Sequence, residues 1–272
     1  MSCLIFGHGG RLGILVVTME HRTRTSNEHL DAVLFSPHLD DAALSAAVRL
    51  MRPVTQVVTV FAGAPSDDVV LADYDRFTRA TSSRERVLTR LAEDDLAMAE
   101  LGCRVERLDD LDDQYRSDAL DEDRLAARLA PLVASAKEIW VPAAIGNHVD
   151  HLATRKAVLS AVRDGGVDCP VFLYADIPYS VQFGWPSWVT GRPDPEYVDV
   201  SFWLELQMIN CGLDPEHLEA EIFRLDSETR DRKQCAVLAY KTQLPALRIS
   251  PDDPAIWESF LQFEVAWRIR LE

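Results

Sequence analysis

Leu34-Phe35-Ser36-Pro37-His38-Leu39-Asp40-Asp41-Ala42-Ala43-Leu44-Ser45 is the stretch on which the fold turns. It opens in a short apolar run, Ala32 to Phe35, of the kind that makes a buried strand. Pro37 then ends the ladder, since it has no N–H to donate. His38, Asp40 and Asp41 follow within four positions, and Ala42 to Met51 is rich in Ala and Leu at helical spacing. Asp40 or Asp41 stands where a helix N-cap belongs. The pattern predicts strand, polar turn, helix. His38 and Asp41, three apart across such a turn, are able to face one point beyond the strand's carboxyl end. An imidazole nitrogen and a carboxylate oxygen suit a borderline cation such as zinc. Asp40, between them, is then free to act as a base on metal-bound water. The alternative is that the two aspartates only cap the helix while His38 is a solvated turn residue, because short motifs recur by chance.

Working outward, Thr55 to Phe61 predicts a second buried strand, with β-branched residues nearly throughout. The polar stretch from Ala62 to Ser82 reads as a long loop over a site. Ser83 to Leu101 reads as a helix closed by Gly102, and Arg104 to Leu108 as a third strand. The acidic run from Asp109 to Arg116 follows as a loop, and Asp121 to Ala136 as a helix interrupted at Pro131. Glu138 to Ala143 is the fourth strand. At its end comes Gly146-Asn147-His148-Val149-Asp150-His151, then a helix from Leu152 to Val162 and a fifth strand from Val171 to Tyr174. The second turn repeats the architecture of the first.

Strands alternating with helices predict an α/β fold, a three-layer Rossmann-like, mostly parallel sheet with helices on both faces. Ligands of such sheets bind beyond the strand carboxyl ends where the strand order reverses. If strands one and four flank the reversal, His38, Asp41 and His151 converge there. The predicted metal site thus lies at the carboxyl ends of strands one and four.

The chain has 272 residues, 47% of them hydrophobic, enough for one large domain with a real core. Its net charge of −16 argues against nucleic acid or an anionic membrane as partner. The five cysteines are scattered and include no C-x-x-C pair, which fits reduced thiols in a cytoplasm. No apolar run approaches the roughly 20 residues that span a bilayer. Gly7 to Gly13 is glycine-rich but misses the dinucleotide fingerprint at Leu12, so it reads as a loop. Residues 1–30 are expected to be an N-terminal extension, with Met19 an alternative start and residues 31–272 a single domain.

His38-Leu39-Asp40-Asp41 together with His148-Val149-Asp150-His151 resembles the zinc-dependent N-acetyl deacetylases of the PIG-L/LmbE-like family. Arg90-x-x-Glu93-Asp94 with Leu101-Gly102 resembles bacterial members, as does Leu111-Asp112-x-Gln114-Tyr115-Arg116. The same holds for Tyr174 to Tyr179 and for Ala239-Tyr240-Lys241-Thr242-Gln243. The first motif is nearest to antibiotic-tailoring members. The family usually has Pro where Leu39 stands and Glu where Ala42 stands, so the surroundings of His38 or Asp41 are expected to differ here.

The resemblance implies one zinc ion per chain, held by His38, Asp41 and His151 with an open position for water. It implies Asp40 as general base, and His148, oriented by Asp150, as oxyanion stabiliser that also helps protonate the departing amine. The expected substrate is an N-acetylated amino sugar or glycoconjugate, with antibiotic biosynthesis as the setting. Asp112, Tyr115 and Arg116, after strand three, are placed to hydrogen-bond sugar hydroxyls; the competing reading is an acidic surface loop held by an Arg116 ion pair. The aromatic segment with Tyr179, Phe183, Trp185 and Trp188 is expected to wall the site for a bulky acceptor. Two other functions use the same residues: an amidase of a thiol-sugar conjugate, and a metal-dependent binding protein without turnover. Asp40 speaks against the last, because binding alone gives no reason for a base.

Overall fold

The computed structural model describes residues 30–67, 69–252 and 254–269. The readings of the glycine-rich loop, the Met19 start and the extension lie outside them. Among the described residues the strands are Ala32–Ser36 (β1), Thr55–Thr59 (β2), Arg104–Arg107 (β3), Ile139–Pro142 (β4), Val171–Tyr174 (β5), Glu219–Arg224 (β6) and Phe263–Ile269 (β7). They form one sheet in the order β3-β2-β1-β4-β5-β7-β6. The first five are parallel; β7 and β6 close one edge antiparallel. The order reverses between β1 and β4, which is where the sequence places its two ligand turns.

The first helices are Asp41–Ser45 (α1), Ala47–Leu50 (α2), Asp73–Phe77 (α3), Ser83–Leu101 (α4), Glu122–Val133 (α5) and Val149–Asp164 (α6). Ser187–Thr190 (α7), Val200–Asn210 (α8), Ser227–Val237 (α9), Leu244–Leu247 (α10) and Pro254–Gln262 (α11) follow. Helix α5 packs on α6, while α1, α2 and α4 pack with α9. Right-handed crossovers on either side of a reversal put these two groups on opposite faces of the sheet. Every residue of β1, β2, β4 and β5 is buried, whereas edge strands β3 and β6 are partly exposed. No helix of the described residues is long and apolar enough to cross a membrane.

Local signals explain most boundaries. Ser82 caps α4 by accepting the Glu85 N–H, and Gly102 ends it in the left-handed region at φ 75°. Four readings change. The loop after β2 contains the short helix α3. Pro131 does not interrupt α5, because it sits in the last turn, where one lost donor breaks no further bonding. Helix α6 starts at Val149, ahead of the expected Leu152, so Asp150 and His151 lie in its first turn.

The helix expected over Ala42 to Met51 is in fact two, broken at Ala46 (φ −146°, ψ 32°). The Glu264 carboxylate of β7 fills the break, accepting the Ala47 and Val48 N–H groups at 2.9 and 3.0 Å. Lys233, fully buried, neutralises it at 2.8 Å. Strands β6 and β7 escape the sequence reading for a related reason. Charged residues in both hide the apolar run or clean alternation that marks a strand.

Candidate active site

Beyond β1 the chain turns sharply into α1. Ser36 Oγ accepts the Ala42 N–H at 3.1 Å and donates to the His38 carbonyl at 2.6 Å. Ser36 therefore does the capping that sequence gave to an aspartate. Asp40 occupies the N-cap position but makes no side-chain cap bond. Asp41 turns back, and its Oδ2 accepts the His38 N–H at 2.8 Å. That oxygen also lies 3.3 Å from His38 Nδ1 and 3.3 Å from His151 Nε2. Ligands about 2.1 Å from a tetrahedral zinc stand roughly 3.4 Å apart, so both separations fit one ion. His148 faces the same space: ligand atoms of His38, His148 and His151 lie within 4.8 Å of one another.

Each of the two histidines beside Asp41 has its other nitrogen held by a carboxylate. His38 Nε2 is 3.1 Å from Asp150 Oδ2, and His151 Nδ1 is 2.7 Å from Asp176 Oδ1. Such carboxylate partners fix ring orientation and ligand basicity at metal centres. Here Asp150 differs from expectation. Only its backbone N–H reaches His148, donating to Nδ1 at 3.2 Å. The carboxylate instead takes His38, the Asp113 N–H at 2.9 Å and Arg116 at 2.6 Å.

Arg116 is correspondingly spent. Its guanidinium donates to Asp150, Asp113 and the Leu111 carbonyl and lies over the Phe61 ring, which matches the ion-pair reading of the loop. Tyr115 lines the cleft, but its hydroxyl donates to buried Asp75 at 2.8 Å. Asp112 remains at the cleft, with a carboxylate oxygen 3.8 Å from His38 Nε2. Arg90 shares that wall. Its Nε and Nη2 are buried and have no hydrogen-bond partner among the described residues.

Burial, reinforced by the Asp41 charge, pushes Asp40 up to about 7. His148 goes the other way. Burial and the neighbouring His38 and His151 lower it, so its ring is held neutral. Burial opposes ionisation of Asp150, yet His38, Arg116 and the Asp113 N–H outweigh it and bring Asp150 down to about 2.

The aromatic segment divides. The Tyr179 ring stands edge-on to His151 at 6.2 Å and covers Gly146, where a Cβ would meet it at 2.4 Å. Gly146, at φ 95°, is thus required by both conformation and space. Trp185 belongs to the core, its Nε1 donating to the Ser259 carbonyl at 3.0 Å. Phe183 packs edge-to-face on Trp203, and Trp188 is partly exposed. Sequence reading gave Asp176 and Arg90 no role. Asp176 lies just past the carboxyl end of β5, where the strand-end rule could have found it.

The family model for PIG-L, described as GlcNAc-PI de-N-acetylase, matches residues 33–162. Residues 33–162 thus resemble a PIG-L domain. The matched residues hold both ligand turns, and the PIG-L resemblance of the motifs is borne out. A 2′-N-acetylparomamine deacetylase of Niallia circulans is 29% identical over 81% of this chain and 84% of its own. The crystal structure of the A40926 pseudoaglycone deacetylase Dbv21 is 26% identical with a TM-score of 0.63, covering 90% of this chain and 99% of that one. A deacetylase of the teicoplanin pathway, at 24% identity and a TM-score of 0.64 over 87% of this chain and 96% of its own, shares the fold. Of the two departures from the PIG-L pattern, Leu39 lines the cleft, and Ala42 is fully buried and gives its N–H to Ser36.

Proposed function

We propose that the chain is a zinc-dependent deacetylase that hydrolyses the N-acetyl group of an amino sugar in antibiotic tailoring. The observation that carries this reading is the convergence of His38 Nδ1, Asp41 Oδ2 and His151 Nε2 at the sheet's switch point, with Asp40 beside them unused as a cap. Zinc held by His38, Asp41 and His151 would supply a Lewis acid for the acyl carbonyl and lower the pKa of a water molecule. Asp40 takes a proton from the water that attacks the acyl carbon, and returns it to the departing nitrogen. His148, neutral and fixed by the Asp150 N–H, donates a hydrogen bond to the acyl oxygen as charge builds there. Asp150 and Asp176 hold the rings of His38 and His151. Acetate and a free amine result.

Asp112 and Arg90 line the cleft and are suited to sugar hydroxyls, although Arg90 Nη2 is buried 3.7 Å from Asp75 Oδ1. The deacetylase substrates named for the 29% and 26% identical relatives, 2′-N-acetylparomamine and the A40926 pseudoaglycone, support that substrate class. Acetate release should be measured from 2′-N-acetylparomamine, an acetylated glycopeptide pseudoaglycone and N-acetylglucosamine, with and without a chelator. Release from at least one, abolished by the chelator and restored by zinc, is expected. Release indifferent to chelation would remove the metal from the reading, and no release from any compound would remove the activity.

A further inference from the structure

Two sequence motifs outside the metal turns, Arg90-x-x-Glu93-Asp94 on α4 and Ala239 to Gln243 ahead of α10, close on each other. Thr242 gives its N–H and hydroxyl to the two Glu93 oxygens at 2.9 and 2.7 Å. Tyr240 is fully buried, and its hydroxyl lies 2.7 Å from Asp94 Oδ1. The other Asp94 oxygen takes Arg107 Nε and Nη2 at 2.8 and 2.5 Å. At the outer end of this clasp, Arg90 and Gln243 line the same cleft as His38.

The Tyr240 hydroxyl has a second neighbour, the Leu39 carbonyl oxygen at 3.0 Å. A phenol has one hydrogen for these two acceptors, so it is shared between them, or Asp94 supplies a second one. Burial raises Asp94 from its ordinary value, and the Arg107 guanidinium opposes that rise. In either case the hydroxyl is fixed from behind and touches the peptide that joins Leu39 to Asp40. That peptide is planar, and the Asp40 Cα follows it directly. Asp40 itself has no cap bond to hold its direction.

We infer that Tyr240, braced by Asp94 and Arg107, is a positioning residue that sets the direction in which Asp40 projects. The inference rests on Asp40 being the base of the proposed hydrolysis.

Two variants separate positioning from plain stability. Tyr240→Phe removes the hydroxyl at Leu39, whereas Thr242→Val breaks the same clasp at Glu93 and leaves Leu39 alone. Tyr240→Phe should lower kcat by about 10- to 100-fold with KM and zinc content unchanged, as a small misplacement of a reacting group does. It should also speed amide hydrogen exchange across residues 38–42. Thr242→Val should lose thermal stability and keep both kcat and the slow exchange. Equal loss of kcat in the two variants, or unchanged kcat in Tyr240→Phe, overturns the inference. If the wild-type protein releases no acetate, the proposed activity fails separately, and unchanged exchange in Tyr240→Phe still overturns the positioning.

Discussion

The turn after β1 and the turn after β4 carry the same kinds of side chain at the same place in a strand–turn–helix unit, yet they are built in opposite ways. The β4 turn caps its own helix. His148 caps α6 with its own ring, and the helix runs 16 residues. The β1 turn leads into a helix of only five residues that depends on distant groups. Ser45 receives the Ile177 N–H across 132 positions, and Glu264 caps α2 from more than 200 positions away. The difference has a chemical consequence. In the β4 turn the imidazole that caps the helix is committed at Nδ1 and offers only its other nitrogen. In the β1 turn Ser36 does the capping, and the Asp40 carboxylate stays free. A group to be used as a base must not be used up in the fold.

That contrast can be broken at five positions. Asp40→Asn keeps the shape of the β1 turn but removes proton acceptance, so kcat should fall by about 10²–10⁴-fold at near-normal zinc content. Asp41→Asn should lose metal instead. Zinc analysis beside steady-state kinetics checks both, and zinc lost from Asp40→Asn but kept by Asp41→Asn would exchange the two roles.

Glu264→Gln tests the distant support of the β1 turn. It leaves Lys233 buried without its charge partner, at a cost of about 3–5 kcal/mol in chemical denaturation. Burial already holds Lys233 below 10.5 in the native chain. Without the carboxylate its native pKa falls further, so the native state binds fewer protons than the unfolded one at alkaline pH. The deficit is therefore full at neutral pH and narrows as pH rises toward 10.5. A deficit that widens would show that Lys233 is not the strained group.

Asp176→Asn weakens the hold on His151 while leaving every proposed ligand in place. Zinc affinity should drop about 10- to 100-fold by competition with a chelating dye. An unchanged affinity would separate Asp176 from the centre. The smallest effect is expected from Ser36→Ala. Loss of that cap should cost about 1 kcal/mol, and it leaves Asp40 as the nearest replacement cap. A fall in kcat with metal content intact would show that replacement, and a purely thermal effect would show that Asp40 is held elsewhere.

Sequence reading reached the five parallel strands, the switch point, and the two turns that carry His38, Asp41 and His151. All of these rest on short-range signals: apolar runs, a proline stop and ligand types spaced for one turn. It missed β6 and β7, the break at Ala46 and the true partners of Asp150 and Arg116. It also put Trp185 on a wall, although a carbonyl on α11 satisfies its indole N–H within the core.

The chain by itself determined where strands end in polar turns, because the period of apolar residues and the cap and breaker chemistry act over a few residues. Which carboxylate serves which histidine was decided only by tertiary structure. Asp150 reaches His38 across 112 positions and Asp176 reaches His151 across 25. Those partnerships follow from strand order: β1 lies beside β4 and β4 beside β5, which brings the ends of the three strands to one place. A buried carboxylate pairs with whatever donor the neighbouring strand end presents, and spacing along the chain carries no record of that neighbour.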